Sequence, residues 1–313
     1  MIKKNKITVT APASVSNVGP GFDILGFPLD VISDTIELSV NKDNSDIIIT
    51  EILPSELGIS KEINNNTAGK ALFNMMKEID YDFGINIKII KELGIGTGLG
   101  SSAASAVGSV FALNEILDKP FGKNDLIRFA LSGEEIASGS IHGDNVIPCM
   151  VGGFVLVRSA ELVDYSKIQY PQDLVCLVIK PDVIIETKKA REVIPNNFPR
   201  NILIEQSVNI ASLTIGLMNS DYDLIKKSIK DNVAEPYRKR LIPFYDEIKD
   251  IVNVNDCYGF SISGSGPTLF AFFNDYNKAH ASGLASVEFY NNNNIKADYF
   301  VSSINNIGPK VIA

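Results

Sequence analysis

The stretch Gly94-Ile95-Gly96-Thr97-Gly98-Leu99-Gly100-Ser101-Ser102-Ala103-Ala104 is where residue type and spacing first suggest chemistry. Glycines at alternate positions remove Cβ atoms where the chain must turn tightly and let backbone N–H groups come close to a ligand. The loop leads from an alternating strand pattern, Ile85-Asn86-Ile87-Lys88-Ile89, into a helix of small and apolar residues over 101–117. A helix N-terminus carries unpaired N–H groups and a partial positive charge, so anions such as phosphate settle there. The hydroxyls of Ser101 and Ser102 can add hydrogen bonds or reach a metal ion. On the residues alone three readings stand: a phosphate cradle, a tight turn that packs a helix on a sheet, and a dinucleotide loop. The dinucleotide fingerprint wants GxGxxG on a first strand–helix unit, whereas the spacing here is GxGxGxG near residue 95. A Walker A run, GxxxxGK[ST], does not occur in the chain.

A phosphate site needs partners. Glu134, in Ser132-Gly133-Glu134-Glu135, reads on its own as a solvated helix glutamate. The chain is poor in arginine and takes most of its positive charge from lysine, which singles out Arg191 and Arg238, because a guanidinium suits bidentate carboxylate recognition. Each reads otherwise as a surface helix charge. Asn17 and Asp23 lie in a Gly/Pro-rich loop and read either as ligand contacts or as turn-stabilising caps. Asn66 precedes a helix and is either its N-cap or an adenine contact. Of the two histidines, His280 reads as a surface residue and His142 as a polar turn residue.

Strand patterns appear at 6–10, 35–40, 46–51, 85–89 and 152–158, with a loop at 13–26; helices are predicted over 67–79, 101–117 and 124–138, the last with Asn124 as N-cap and Gly133 as a weak point. Beyond about residue 165 the pattern changes, with strands at 174–180, 258–262, 268–273 and 296–301 and helices at 188–193, 202–218, 224–230 and 277–290. Two α+β domains are expected, 1–165 and 166–313. The 313 residues, 45% hydrophobic and 21% charged, exclude a disordered chain, a collagen and a coiled coil. Cys149, Cys176 and Cys257 lack metal or redox spacing and read as buried small hydrophobes in a reducing compartment. A net charge of −8 argues against nucleic acid as a partner, while a local site can still take an anion. No apolar run approaches the roughly 20 residues of a membrane span, and the basic start leads into a strand and not into an apolar signal segment, so a cytoplasmic protein is expected.

Three segments, in order, resemble the GHMP small-molecule kinases: Ala11-Pro12-Ala13-Ser14-Val15-Ser16-Asn17-Val18-Gly19-Pro20-Gly21-Phe22-Asp23, the GLGSSAA loop at 98–104, and Ser261-Ile262-Ser263-Gly264-Ser265-Gly266-Pro267-Thr268. The first is similar to the form found in members acting on homoserine, as is His142-Gly143-Asp144-Asn145-Val146-Ile147-Pro148, where asparagine stands at the position of the aspartate that other members use as a proposed base. Thr187-Lys188-Lys189-Ala190-Arg191 and Glu235-Pro236-Tyr237-Arg238 resemble two further segments. Two departures are Gly94, where the family usually has proline, and Gly308-Pro309-Lys310 in place of a Gly-Ala-Arg ending.

The resemblance implies an N-terminal domain like the second domain of ribosomal protein S5, a C-terminal ferredoxin-like domain, and substrates in the cleft between them. It implies ATP held by Asn66, Gly96, Thr97, Gly98, Leu99, Gly100, Ser101 and Ser102, with Mg²⁺ on Ser102 and Glu134. It implies L-homoserine held by Asn17, Asp23, His142, Thr187, Arg191, Arg238 and Gly264, and Asn145 aligning the acceptor hydroxyl. The product would be O-phospho-L-homoserine for threonine synthesis, and a homodimer is expected. An amide cannot usefully take a proton, so Asn145 is expected to position and not to act as a general base. The alternatives are a GHMP kinase for another small alcohol and a catalytically silent nucleotide-binding module.

Overall fold

Long alternating runs of Ile, Val and Thr dictate the first sheet, because a pleated strand buries every second side chain. The computed structural model describes residues 2–79, 81–138 and 143–313, the side chains of 135–138 apart. The first sheet contains β1 (Lys6–Ser16), β2 (Leu25–Asn41), β3 (Ile47–Leu53), β4 (Gly84–Ile90), β5 (Phe154–Ser159) and β6 (Asp164–Ile168). β11 (Lys310–Val311) adds itself to the free side of β1. The order is β11-β1-β2-β4-β3, with β5 and β6 continuing from β2. The loop expected at 13–26 is shorter: β1 continues to Ser16 through an irregularity between Pro12 and Ser14. That irregularity lets the proline sit in a long strand.

Helices α1 (Thr67–Met76), α2 (Ser101–Ile116) and α4 (Gly143–Val151) pack on this sheet, and α3 (Lys123–Ser138) packs on those three helices. Helix α3 begins at Lys123 and not after Asn124; the side chain that caps its start is Asp125, which accepts from Gly122 N–H. The expected weakness at Gly133 has a use: a Cβ there would lie 2.3 Å from the Thr67 carbonyl, so glycine lets α3 approach α1. Helix α4 is not foreseen from the sequence pattern. Pro148 inside it leaves the Asp144 carbonyl without its usual helical donor. That carbonyl lies against Gly26, where a Cβ would come within 1.9 Å.

The second sheet is formed by β7 (Val175–Pro181), β8 (Gly259–Ile262), β9 (Leu269–Phe273) and β10 (Ala297–Ser302). Its order β10-β7-β9-β8, all pairs antiparallel, is the ferredoxin-like arrangement. The helices of this half are α5 (Thr187–Glu192), α6 (Arg200–Asn219), α7 (Tyr222–Ser228), α8 (Glu235–Arg238), α9 (Tyr245–Asn253) and α10 (Tyr276–Asn292), of which α10 packs on β7, β9 and β10. Helices α8 and α9 escape the sequence reading, the first because it is one turn long. Phe27 on β2 meets Phe154 on β5 at 5.1 Å and Phe272 on β9 at 5.6 Å, so an aromatic cluster joins the two sheets. Strand β6 straddles residue 165, and β11 belongs to the first sheet. All three cysteines are free and buried, and burial raises the thiols of Cys149 and Cys176.

Candidate active site

A cleft of about 520 Å³ opens between the two sheets, within the size range of small-molecule sites. The glycine loop lines one wall. Gly94, Gly96, Gly98 and Gly100 all have positive φ, which a side chain would strain. The loop is turned so that its carbonyls face the protein frame. Gly96 O accepts from Ile185 N–H, Thr97 O from Thr268 N–H, Gly98 O from Ser263 Oγ (2.6 Å), Leu99 O from Ser14 N–H and Gly100 O from Ala104 N–H. The N–H groups of residues 96–100 have no hydrogen-bond partner among the described residues. Leu99 is fully buried and anchors the loop to the core. Close packing reinforces the anchor: a Cβ on Gly98 would lie 2.4 Å from Ser263 O, and one on Gly100 would lie 2.1 Å from Ser14 Oγ.

At the head of α2, Ser102 Oγ donates to Glu134 Oε1 at 2.7 Å. Glu134 is 6% exposed, which overturns its reading as a solvated glutamate. The close α1–α3 approach at Gly133 brings it there. A hydroxyl and a carboxylate side by side on the cleft wall suit Mg²⁺, which takes oxygen ligands and often completes its shell with phosphate and water. Among the described residues no cluster of three or more His, Cys, Asp or Glu side chains could hold a metal.

Asn145, in the first turn of α4, faces the end of the loop. Its Oδ1 accepts from Ser14 Oγ at 2.8 Å and its Nδ2 donates to Ser16 Oγ at 2.9 Å, so two serines of β1 fix the amide. Asp144 beside it is buried and also lines the cleft. His142 lies outside the described residues.

The opposite wall is cationic. Arg238 is 3% exposed; its Nε donates to Ala190 O at 2.9 Å and its Nη1 to Gly264 O at 2.8 Å. Burial lowers its guanidinium to about 10, with Asp23 raising it and Arg191 lowering it. Arg191 Nη2 donates to both carboxylate oxygens of Asp23, at 2.8 and 2.9 Å. The ring of Phe22 lies under both guanidiniums, 5.1 Å from Arg238 and 5.6 Å from Arg191, a contact that favours cations over an aromatic face. Asn17 Oδ1 accepts from Asp23 N–H at 2.7 Å, and its Nδ2 donates to Gly264 O at 2.9 Å. Thr187 opens α5 on the same wall. Asn66 caps α1 by accepting from Gly69 N–H, donates to Ser60 O and lines the cleft. His280 lies elsewhere, paired with Tyr299 Oη.

The structure thus brings the described candidates into one cleft, with Leu99 anchoring from behind. Sequence reasoning missed three contributors. Phe22 stands in the first motif without a role of its own, and Asp34 and Lys91, a buried ion pair beside the glycine loop, are not singled out. Their signal is present: Asp34 shares the buried face of β2 with Ile32, Ile36 and Leu38, where a carboxylate requires a partner.

The family model of the GHMP kinase N-terminal domain matches residues 66–153, and that of the C-terminal domain matches residues 213–282. The chain is 36% identical to a homoserine kinase of Chlorobium phaeobacteroides, over 96% of this chain and 98% of that one. It is 37% identical to one of Xylella fastidiosa, over 88% and 84%. The crystal structure of homoserine kinase from Cytophaga hutchinsonii superposes with a TM-score of 0.96 at 38% identity, covering 100% and 99% of the two chains. A Leishmania major mevalonate kinase superposes at 0.77 with 14% identity, a likeness of fold alone.

Proposed function

The chain belongs to the GHMP kinases and, among them, to the homoserine kinases, and from that premise we propose that the described cleft joins ATP to L-homoserine and that its named residues divide the work. The protein is an ATP-dependent phosphotransferase that forms O-phospho-L-homoserine from the side-chain hydroxyl of L-homoserine. The observation that supports the phosphate site most directly is the inside-out glycine loop, with its carbonyls tied to the frame and the N–H groups of residues 96–100 without a partner among the described residues.

In this reading the N–H groups of residues 96–100 and the head of α2 hold the triphosphate, with Ser101 adding its hydroxyl. Asn66 lies by the nucleoside end. Ser102 and Glu134 hold Mg²⁺, which when bound neutralises charge on the transferred phosphoryl group. Arg238 and Arg191 take the α-carboxylate of homoserine, with Thr187 beside them. Asp23 takes the ammonium, and Asn17 and Gly264 shape the turn around it. Asn145, fixed by Ser14 and Ser16, orients the hydroxyl for in-line attack. His142 keeps its proposed place toward the acceptor. Phosphoryl transfer through a loose transition state asks little activation of the nucleophile, so alignment and charge neutralisation do most of the work.

The proposal includes residues 1–165 and 166–313 as the two units, with the rest of β6 and β11 returned to the first, and a homodimer in solution. No described helix is long and apolar enough to cross a membrane.

The test is ADP release from ATP and Mg²⁺ across L-homoserine, mevalonate, galactose, L-serine and L-threonine. Selective turnover of homoserine is expected. Turnover of another alcohol would keep the phosphate site and overturn the roles of Arg191, Arg238 and Asn145. Nucleotide binding without turnover of any acceptor would favour the silent module.

A further inference from the structure

Helix α2 carries Ser102 and the loop's anion-binding end, and its first turns have little bulk of their own to fix their position. Its sequence opens Ser-Ser-Ala-Ala-Ser-Ala-Val-Gly-Ser, and it is buried on nearly every side. Small side chains form low ridges, and low ridges resist sliding along a neighbouring sheet weakly. A slip of one residue would move Ser102 by about 1.5 Å along the axis, enough to lose the 2.7 Å contact with Glu134.

Besides the Thr67 Oγ1 donor to Ser102 O at 3.3 Å, a buried charged cluster opposes that slip. Lys91 follows β4, with its side chain 3% exposed, and pairs with Asp34 of β2, whose side chain is fully buried. The Lys91 ammonium also donates to Ser101 O at 2.7 Å and to Ser105 Oγ at 2.8 Å, both in the first turns of α2. Its three donors are therefore all used. Asp34 Oδ1 in turn accepts from Glu92 N–H at 3.0 Å and Leu93 N–H at 3.1 Å, where the chain turns toward the glycine loop. One buried pair thus ties β2, the end of β4, the loop entry and two successive turns of α2.

We propose that the Lys91–Asp34 pair is the register pin of the phosphate-loop helix: it sets where α2 stops along the sheet, and so where Ser102 and the loop amides meet the nucleotide. Lys91 and Ser105 also line the cleft, but the Lys91 ammonium spends its three donors on Asp34, Ser101 and Ser105, so Lys91 is a positioning residue in this role, acting through Ser101 and Ser105. The inference rests on the reading of the loop as the triphosphate site. Buried ion pairs are often replaceable without loss of stability by neutral groups that fit, so a need for this one concerns position. Hydrophobic residues alone could have filled the volume.

The discriminating variant is Asp34→Asn with Lys91→Met. The asparagine oxygen still accepts from Glu92 and Leu93, and no buried charge is left unpaired. Binding of a non-hydrolysable ATP analogue with Mg²⁺ is measured by calorimetry, alongside the KM for homoserine and the Mg²⁺ concentration for half-maximal rate. The expected result is a folded protein whose nucleotide Kd and Mg²⁺ requirement rise roughly tenfold or more, as a misplacement of about an ångström predicts. The homoserine KM at saturating ATP should stay within about twofold, since that wall is not displaced. An unchanged nucleotide Kd overturns the proposal, and so does an equal loss for both substrates, which would mark general loosening. If the double variant does not fold, Ser105→Ala, which leaves the ion pair intact, is expected to weaken nucleotide binding about threefold; no change would overturn the proposal. Ser102→Ala separates the underlying reading: if it leaves nucleotide binding and Mg²⁺ requirement untouched, the phosphate site itself is misplaced.

Discussion

In the proposed mechanism Asn145 aligns the acceptor, because an amide held by two serine hydroxyls can orient but cannot take a proton. The burden then falls on charge. Arg238 and Glu134 are buried charges on opposite walls of the cleft, and each can be tested alone. Arg238→Leu should raise the homoserine KM about ten- to a hundredfold, the worth of a lost charge-assisted hydrogen bond, while the ATP KM stays unchanged. Steady-state kinetics with each substrate varied checks this, and an unchanged homoserine KM removes Arg238 from the acceptor site. Glu134→Ala should cost about 3 kcal/mol of transition-state stabilisation, on the order of a hundredfold in kcat. Near-normal turnover at limiting Mg²⁺ would place the metal elsewhere. The two residues differ in how readable they are. Arg238 stands out in a lysine-rich sequence, whereas Glu134 resembles any helix glutamate until Gly133 is seen to draw α3 against α1.

The glycine loop is legible at the level of elements because its chemistry is local: glycine spacing, a preceding strand and a following helix are contiguous in sequence. Helix α4 is not, because Gly143-Asp144-Asn145 and Pro148 all disfavour a helix, and packing against β1, β2, β5, α2 and α3 offsets them. Likewise β1 continues through Ala13–Ser16 because its partner in β2 supplies hydrogen bonds that local composition cannot reveal. The loop's dependence on its frame gives a prediction at this scale. Gly98→Ala must place a methyl group 2.4 Å from Ser263 O at a φ of +78°, so the turn at Ser263 has to move. A stability loss of roughly 1–3 kcal/mol is expected, together with a raised ATP KM. Thermal unfolding and an ATP titration check both; a wild-type ATP KM would show that the loop tolerates displacement.

Across the whole molecule, the two sheets share an aromatic cluster below the cleft, while the substrates are proposed to join them above it. ATP with Mg²⁺ at a hundred times its Kd should therefore stabilise the fold by about 2.7 kcal/mol, raising Tm by about 5 °C for a chain of this size. A scan with and without ligand, and with Mg²⁺ removed by chelator, measures it; no shift would mean that nucleotide does not bind the folded state. The sequence marks the change of pattern near residue 165, but not the return of β11 to the first sheet, since two residues carry no periodicity. That return has a consequence for the growing chain. Residues 310–313 cover the side of β1 opposite β2, through Val311 opposite Val9 and the exchange between Thr8 and residues 312 and 313. During synthesis β1 is made some three hundred residues before this partner. At typical elongation rates of about 5–20 residues per second, the edge of β1 stays open on the ribosome for tens of seconds. An open edge is a template for foreign strands. The nascent protein is therefore most exposed to misassembly in that interval, and a message cut short before residue 310 would release a product that keeps its glycine loop but never closes that edge.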